Sequence, residues 1–452
     1  MFYDLQRYGS YKAAGEWIPE LPISWGWSPA RTVFAERKDA GHVEEQMLSV
    51  TIGSGVIPQA DLLSSTSKKD SSNVDKSKYK LVEPGDVVYN KMRAWQGAAG
   101  GSGHRGIVSP AYIVMSPRDA LTEYIHHVVR TPQFAKEAER WSYGITSDQW
   151  SLRPEHFKMI RFPVPPVEEQ AVIVKYLTHA NARVDKAIAA KRRLIALLNE
   201  QGRAIVEAAL SLNAGSERLG FHIDLTTGFP FRSEDFKSGL HASRTRLLRG
   251  VNVGIGETRW EDVVSVDPDL AKSASSFRLE FGDLILGMDR PVISAGVRVA
   301  QINDDAVGSL LVQRVARLRP RATLDAAYLM TVLRSVVFER YLEPIFTGIS
   351  VPHLSPKQIR DFLIPLPAIS DQRAIVAQIE LEKINLNEAV LRAQEEIVLL
   401  KEFRTRLVAD VVTGQVDIRA IAATLPDTPE PIDRLVTNLD DGLEEALSES
   451  EE

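Results

Sequence analysis

The segment LRPEHFKMIRFPVPPVEEQAVIVKYL, residues 152–177, is repeated in outline by LSPKQIRDFLIPLPAISDQRAIVAQI, residues 354–379. The two segments align without gaps at a constant offset of 202 residues. In each segment several prolines precede a glutamine, Gln170 or Gln372, and an apolar-periodic stretch follows. A match of this length within one chain indicates an internal duplication.

The match extends towards the N-terminus of both copies. GDVVYNKMR at 85–93 corresponds to GDLILGMDR at 282–290, and VTIGSG at 50–55 corresponds to VNVGIG at 251–256. Because the matching pieces keep the same order, we interpret the chain as two copies of one unit, each of about 200 residues.

Each copy has two parts with different hydrophobic periodicity. Short apolar runs cut by Gly, Asp and Pro indicate an α+β domain, and the unbroken pattern after the prolines indicates a long helix with acidic residues in its first turn. The predicted division is a first domain over 1–165, a long helix over 166–213, a second domain over 214–366, a second long helix over 367–413 and an acidic, disordered tail over 414–452.

The two predicted helices carry apolar residues at heptad spacing, which is typical of a coiled coil. We expect helices of roughly 65 Å that pack antiparallel through this seam and carry the two domains at opposite ends, related by an approximate twofold axis. The seam residues are Leu177, Val184, Ile188, Ile195 and Leu198 in the first helix, and Ile379, Leu386, Val390, Ile397 and Leu400 in the second. Four apolar residues off the seam, Ile173, Leu197, Ile375 and Leu399, are predicted to bind partner subunits.

Composition limits the classes of function. The chain has 452 residues, no cysteine, 54 basic and 60 acidic residues, and its last 39 residues hold 11 of the acids and only 2 of the bases. The body is therefore slightly basic, which is compatible with local DNA-binding patches. No membrane span or signal peptide is recognisable, and the absence of cysteine suits a cytoplasmic protein.

Sequence signatures of catalysis are missing. The chain lacks a phosphate-binding P-loop, the H-E-x-x-H and G-x-S-x-G motifs and the Asn/Asp-Pro-Pro-Tyr motif of adenine methyltransferases, and its nine histidines have no metal-ligand spacing. We therefore predict no catalytic residue and no metal site. A coiled-coil scaffold without DNA specificity, or an enzyme with an unrecognised site, is an alternative.

Polar, basic and aromatic residues follow the Gly-Asp turn of each copy. Arginine can hold guanine through two hydrogen bonds, amides suit adenine, Asp can accept from cytosine, and lysine suits phosphate. The predicted DNA contacts are Lys91, Arg93, Trp95, Gln96 and Gln149 in the first copy, and Asp289, Arg290, Arg298, Ser350 and His353 in the second. The two sets differ, so we expect different base sequences to be read.

Several phrases resemble the specificity subunit of Type I restriction-modification systems. They are WIPELPISW at 17–25, NKMRAWQG at 90–97, LLRGVNVG at 247–254, GMDRP at 287–291 and the two helix entries with Gln170 and Gln372. The resemblance covers residues 17–413 and leaves out the acidic tail. It implies two target-recognition domains, each reading one half of a split, asymmetric sequence in double-stranded DNA.

The same resemblance implies partners that carry the chemistry. Two copies of an adenine methyltransferase would bind the paired helices and use S-adenosylmethionine, and restriction subunits, where they join the complex, would use ATP and magnesium. The chain itself would hold no cofactor and would be non-catalytic.

Overall fold

The computed structural model describes residues 6–64, 75–144, 150–211, 215–239, 241–294, 296–346 and 352–429. These residues fall into two compact units, one drawn from Met1–Arg193 and Gln394–Ser448, the other from Leu194–Ala393. The division runs through both long helices. Each unit therefore holds one α+β domain and parts of both helices.

The first domain is built on a four-stranded antiparallel sheet in the order Phe34–Arg37, Tyr112–Pro117, Val87–Asn90, Ala99–Gly101. Around it lie the strand pairs Tyr11–Ala13 with Glu20–Pro22, Gly26–Pro29 with Arg161–Val164, Leu48–Thr51 with Gly55–Pro58, and Lys80–Val82 with Gly106–Val108. The helices are Ala30–Val33, Gln59–Ser64, Thr122–Val129, Pro132–Arg140 and Pro154–Phe157, with a 3-10 turn at Ala94–Gln96.

The second domain has an equivalent sheet in the order Ile223–Thr227, Val315–Pro320, Leu284–Gly287, Val299–Gln301. A mixed sheet of Lys237–Ser238, Val264–Val266, Thr245–Leu248 and Leu310–Leu311 is added, and two pairs join Ser216–Arg218 to Leu363–Pro365 and Val292–Ile293 to Gly296–Val297. The helices are Pro268–Ser273, Ala326–Leu333, Val336–Phe346 and Pro356–Asp361, with 3-10 turns at Leu219–Phe221, Ser233–Asp235, Gly250–Asn252 and Ser275–Phe277.

Both main sheets place their four strands in the order first, fourth, second, third along the chain. In both, the second strand is entered through a glycine with positive φ, Gly85 at 97° and Gly282 at 86°, followed by a buried aspartate. The prediction of two similar α+β domains is confirmed.

The long helices run over Val167–Leu210 and Ile369–Val412, 44 residues each, and the expected pair of helices is confirmed. Within the first unit, the start of the first helix packs antiparallel against the end of the second, since Ile173 and Leu177 share one core with Leu407 and Val411. Of the ten predicted seam residues, Leu177, Val184, Ile188 and Ile379 are buried and Ile195, Leu198, Leu386, Val390, Ile397 and Leu400 are half-buried.

Buried tyrosines attach each domain to its helix entry. The Tyr124 hydroxyl donates to the carbonyl oxygens of Pro163 (3.2 Å) and Val412 (3.0 Å). In the second domain the Tyr328 hydroxyl donates to the carbonyl of Pro365 at 2.9 Å. Each proline-rich connection is thus held against its domain.

The beginning of the acidic tail is folded. Residues 414–429 include the helix Arg419–Ala423, and Ile418 and Ala422 lie in the core of the first unit. The prediction of a disordered tail from 414 is therefore wrong for 414–429. Averaging charge over the whole tail concealed a short apolar stretch that can be buried. Residues 430–452 lie outside the described part of the chain.

Candidate nucleic-acid interface

The loop that follows strand Val87–Asn90 is held by its own hydrogen bonds. The Asn90 side-chain oxygen accepts from the Met92 backbone nitrogen at 2.9 Å, and the Trp95 indole nitrogen donates to the Met92 carbonyl at 2.9 Å. Ala94 is fully buried and anchors the 3-10 turn, while Arg93 and Gln96 on either side of it are exposed. A fixed backbone therefore presents two polar side chains to solvent.

The cations of this loop have no partner in the described residues. The guanidinium of Arg93 and the ammonium of Lys91 make neither an ion pair nor a hydrogen bond there. Trp95 is half-buried, with its ring 5.4 Å from the ring of Trp150 in an edge-to-face arrangement. The loop thus carries positive charge beside an aromatic cluster.

The equivalent loop of the second domain uses the same backbone contact. The Leu354 nitrogen donates to the Met288 carbonyl at 2.7 Å, as the Leu152 nitrogen donates to the Lys91 carbonyl at 2.8 Å in the first domain. Arg290 follows with a positive φ of 44°, and its backbone nitrogen donates to the Pro352 carbonyl at 2.9 Å. Its side chain is exposed and makes no hydrogen bond or ion pair among the residues described.

Asp289, the predicted acceptor of a hydrogen bond from cytosine, already has partners within its own domain. Its carboxylate accepts from Arg314 at 2.7 Å and is 2.6 Å from the His353 ring nitrogen. Burial alone would raise the pKa of Asp289, but these two hydrogen bonds outweigh it and lower the pKa. Asp289 and the exposed His353 therefore stabilise the loop through each other.

Arg298 is likewise engaged within the domain. Its guanidinium donates to the carbonyl oxygens of Val253 (3.1 Å) and Asp289 (3.2 Å) and contacts that of Gly250. Burial lowers the pKa of this guanidinium. Arg298, a predicted base contact, thus has its donors directed at backbone carbonyls of its own domain, one of them that of Asp289 in the Arg290 loop.

Two further predicted contacts, Gln149 and Ser350, lie outside the described residues.

The predicted partner-binding residues separate into two groups. Leu197 and Leu399 are large apolar side chains on the long helices, and they are 54% and 62% exposed. Ile173 is fully buried in the first core, so its assignment to a docking surface is wrong, and Ile375 is half-buried against the second core. The heptad pattern does not show which helical residues the domains themselves cover.

One cleft beside the first loop was missed by the sequence analysis. It measures about 690 Å³ and brings Lys91 and Met92 together with Lys80, Tyr143 and Arg153. Lys91 and Met92 lie in the phrase NKMRAWQG and Arg153 lies in the repeated segment 152–177, but no sequence pattern joins these segments to each other or to Lys80 and Tyr143. One difference between the two copies could have indicated the cleft. Lys91 and Arg153 of the first copy correspond to the uncharged Met288 and Ser355 of the second.

The described residues lack both a membrane-spanning helix and a metal-binding cluster. None of their helices is long and apolar enough to cross a membrane. Nor do they contain a group of three or more His, Cys, Asp or Glu side chains placed to hold a metal ion.

Comparison with known proteins gives a consistent result. No family model matches the chain. It is 34% identical to the Type I restriction enzyme EcoAI specificity subunit of Escherichia coli over 165 residues, which is 36% of this chain and 27% of that subunit. It is 21% identical to the MjaVIII specificity subunit of Methanocaldococcus jannaschii over 371 residues, 76% of this chain and 83% of that one. The chain thus spans about a quarter of the first relative and most of the second.

Among solved structures, one chain from a study of assembly and conformational transition of the type I R-M system superimposes with a TM-score of 0.61. The superposition covers 87% of this chain and 99% of that one at 17% sequence identity, so it shows a shared fold.

Two similar α+β domains, each with an arginine-bearing loop and each continued into a 44-residue helix, define a class of internally duplicated two-domain proteins. Within that class the chain is a relative of the Type I restriction enzyme specificity subunits. The resemblance inferred from its repeated phrases is confirmed. The names of these relatives support that interpretation over a scaffold or an unrecognised enzyme.

Proposed function

We propose that this chain is the DNA sequence-recognition subunit of a Type I restriction-modification complex, with each domain reading one half of a split target. The observation that carries the proposal is the pair Arg93 and Arg290. They occupy equivalent positions in the two copies, and both side chains are exposed without a partner among the described residues. An unpaired guanidinium is the group best suited to hold guanine through two hydrogen bonds.

The two halves of the target should differ in sequence. The first loop offers Lys91 and Gln96 in addition to its arginine, whereas the second surrounds its arginine with the bonded pair of Asp289 and His353. Loops that share a backbone frame but not their side chains present different donor and acceptor patterns to a base pair. An asymmetric, bipartite target follows.

The partners in this proposal carry the chemistry. Exposed apolar side chains on the long helices, Leu197, Leu391 and Leu399 among them, would bind two adenine methyltransferase subunits. Those subunits would use S-adenosylmethionine, and restriction subunits would add the ATP- and magnesium-dependent reaction. The present chain would position them on DNA in the cytoplasm and would not itself catalyse a reaction.

Methylation mapping tests the proposal. The chain and its partner methyltransferase are expressed in a methylation-free strain, and methylated adenines are located by long-read sequencing. We expect one motif of two unlike short halves with a fixed gap of unread bases. A continuous palindrome, or a gap that varies freely, would contradict it.

A further inference from the structure

The cleft next to the first recognition loop, which we call the first-domain cleft, is concave and mixed in character. Its lining includes Lys91, Met92, Tyr143 and Arg153, together with Lys80 from the strand Lys80–Val82. Its volume of about 690 Å³ is in the range of sites that take small organic ligands. It is thus large enough for a nucleotide.

The positive charges in the cleft exceed the available negative ones. The Lys80 ammonium donates to the Tyr112 carbonyl at 2.7 Å, and burial lowers its pKa. Lys91 and Arg153 make no ion pair or hydrogen bond in the part of the chain that is described. Of the two acids present, Glu36 is already 2.7 Å from the Lys158 ammonium, which leaves only Glu155. An anion is the ligand that this arrangement favours.

An aromatic ring stands beside these cations. Tyr143 is 59% exposed, although its backbone is fixed by reciprocal hydrogen bonds with Ser151, at 3.3 and 3.1 Å. Its ring centroid lies 4.8 Å from that of His156. An ordered, exposed aromatic ring next to unpaired cations is the combination that proteins use to bind unstacked bases together with their phosphates.

The three cations of the cleft, Lys80, Lys91 and Arg153, are specific to the first domain. The copies align at offsets of 197 residues around the Gly-Asp turn and 202 residues around the helix entry. Lys80, Lys91 and Arg153 then correspond to Phe277, Met288 and Ser355. The shared fold does not need the three cations, because the second domain forms the same sheet and the same loop contact without them.

We propose that the first-domain cleft binds one nucleotide of the target DNA out of the base stack, with its base on the Tyr143 ring and its phosphate between Lys91 and Arg153. The inference rests on the proposed function, since it requires that the first domain contact DNA. A base within a duplex is stacked on both faces and cannot also stack on Tyr143, so the nucleotide must leave the helix. The cost of unpairing is smaller where the base is already mismatched.

The test uses the complex of the full chain with its methyltransferase, and duplexes carrying the mapped target. One mismatch at a time is placed through and around the first half-site, and affinity is measured at several salt concentrations. We expect one position at which a mismatch tightens binding at least several-fold. Tyr143→Ala should abolish that preference, and Tyr143→Phe, which keeps the ring, should preserve it.

Lys91→Met and Arg153→Ser give the first domain the residues that the second domain carries. Each should lower the slope of log affinity against log salt by about one, as expected for loss of a phosphate contact. Lys357→Ala, which removes an exposed lysine of the second domain that is paired with Asp361, is the matched control and should leave slope and mismatch preference unchanged.

The outcomes separate this inference from the function on which it rests. If the wild-type complex shows no sequence preference, the proposed function fails. If it binds its target specifically but no mismatch tightens binding, or if Tyr143→Ala keeps that preference, the nucleotide site is wrong. If Lys91→Met and Arg153→Ser lower the salt slope but Tyr143→Ala leaves the mismatch preference unchanged, the cleft binds only the DNA backbone. That outcome would also overturn the proposal.

Discussion

The side-chain oxygen of Gln170 accepts a 2.8 Å hydrogen bond from the backbone nitrogen of Leu121, while its amide donates to the Pro165 carbonyl at 2.9 Å. Gln170 lies in the first turn of a long helix and Leu121 immediately precedes helix Thr122–Val129. Gln372 does the same for Asp325 and Pro367 in the second copy, at 2.8 and 2.9 Å. One buried amide thus joins the two helix starts in each copy.

Replacing Gln170 by leucine should destabilise the first unit. The buried nitrogen of Leu121 and the Pro165 carbonyl would lose their partner, which costs about 1–3 kcal/mol for an unsatisfied buried group. Urea unfolding followed by far-ultraviolet circular dichroism measures this loss in the free energy of unfolding. Gln378→Leu is the control, because that exposed amide donates only to Glu382 one helical turn away. Equal losses in the two variants would contradict the argument.

The buried aspartate of each Gly-Asp turn should be as important as the glutamine. Asp86 receives two hydrogen bonds from Arg37, at 2.7 and 3.1 Å, and Asp283 receives two from Arg319, at 2.7 and 2.9 Å. Asp86→Ala should lower the free energy of unfolding by about 1.5–3 kcal/mol, the range for hydrogen bonds to charged groups. Thermal and urea unfolding would show it.

The control for that change is Asp267→Ala, which removes a more exposed partner of Arg244 and should cost at most about 1 kcal/mol. A loss at Asp86 no larger than that at Asp267 would mean that the turn does not depend on its carboxylate.

Arg93→Ala and Arg290→Ala should each affect one half-site only. Loss of a guanine contact removes roughly 1–3 kcal/mol of discrimination at one base pair. Binding of the methyltransferase complex to single-base variants of the mapped target measures this. Arg392→Ala, an exposed arginine on the second long helix paired with Glu388, should change neither half-site. Were Arg93→Ala to relax both halves equally, its loop would not be the reading loop.

The double change Leu197→Glu with Leu399→Glu should prevent co-purification with the methyltransferase, since charges would replace apolar side chains at the proposed contact. Both positions are exposed, so circular dichroism and the melting temperature should stay unchanged. Leu363→Glu, at a strand position that is also 54% exposed, is the matched control and should still co-purify. Undiminished co-elution of the double variant would refute this docking surface.

Acid should destabilise the first domain through His127. Burial lowers the pKa of His127 to about 4, from an ordinary value of 6.5. Between these values the unfolded chain binds the proton more strongly, so stability is greatest above pH 6.5 and decreases as pH falls towards 4. By pH 5 the loss should be about 1–2 kcal/mol for this half-buried ring.

Unfolding midpoints measured from pH 7.5 to 5 would check this. His127→Gln should reduce the pH dependence of the unfolding midpoint. An unchanged pH profile in the His127 variant would rule out the assignment.

The linear sequence by itself determined the frame of this protein. Its recognisable patterns are the duplication, the Gly-Asp turns, the two helix entries and the heptads, and all of them are patterns of residue spacing. The spacing is the same in both copies because both form the same sheet and the same helix start. For that reason the alignment placed Gln170 with Gln372 and Arg93 with Arg290 correctly, without any knowledge of their contacts.

Only the tertiary structure decided which of the predicted side chains are free. The sequence alone does not show that Ile173 is buried in the domain core. Nor does it show that the Asp289 carboxylate is bonded to Arg314 and His353, or that the Arg298 guanidinium donates to backbone carbonyls. Their partners come from distant parts of the chain, so no local pattern records the pairing. Likewise, Lys80, Lys91, Tyr143 and Arg153 form one cleft because the tertiary fold brings the segment 80–91 together with the segment 143–153.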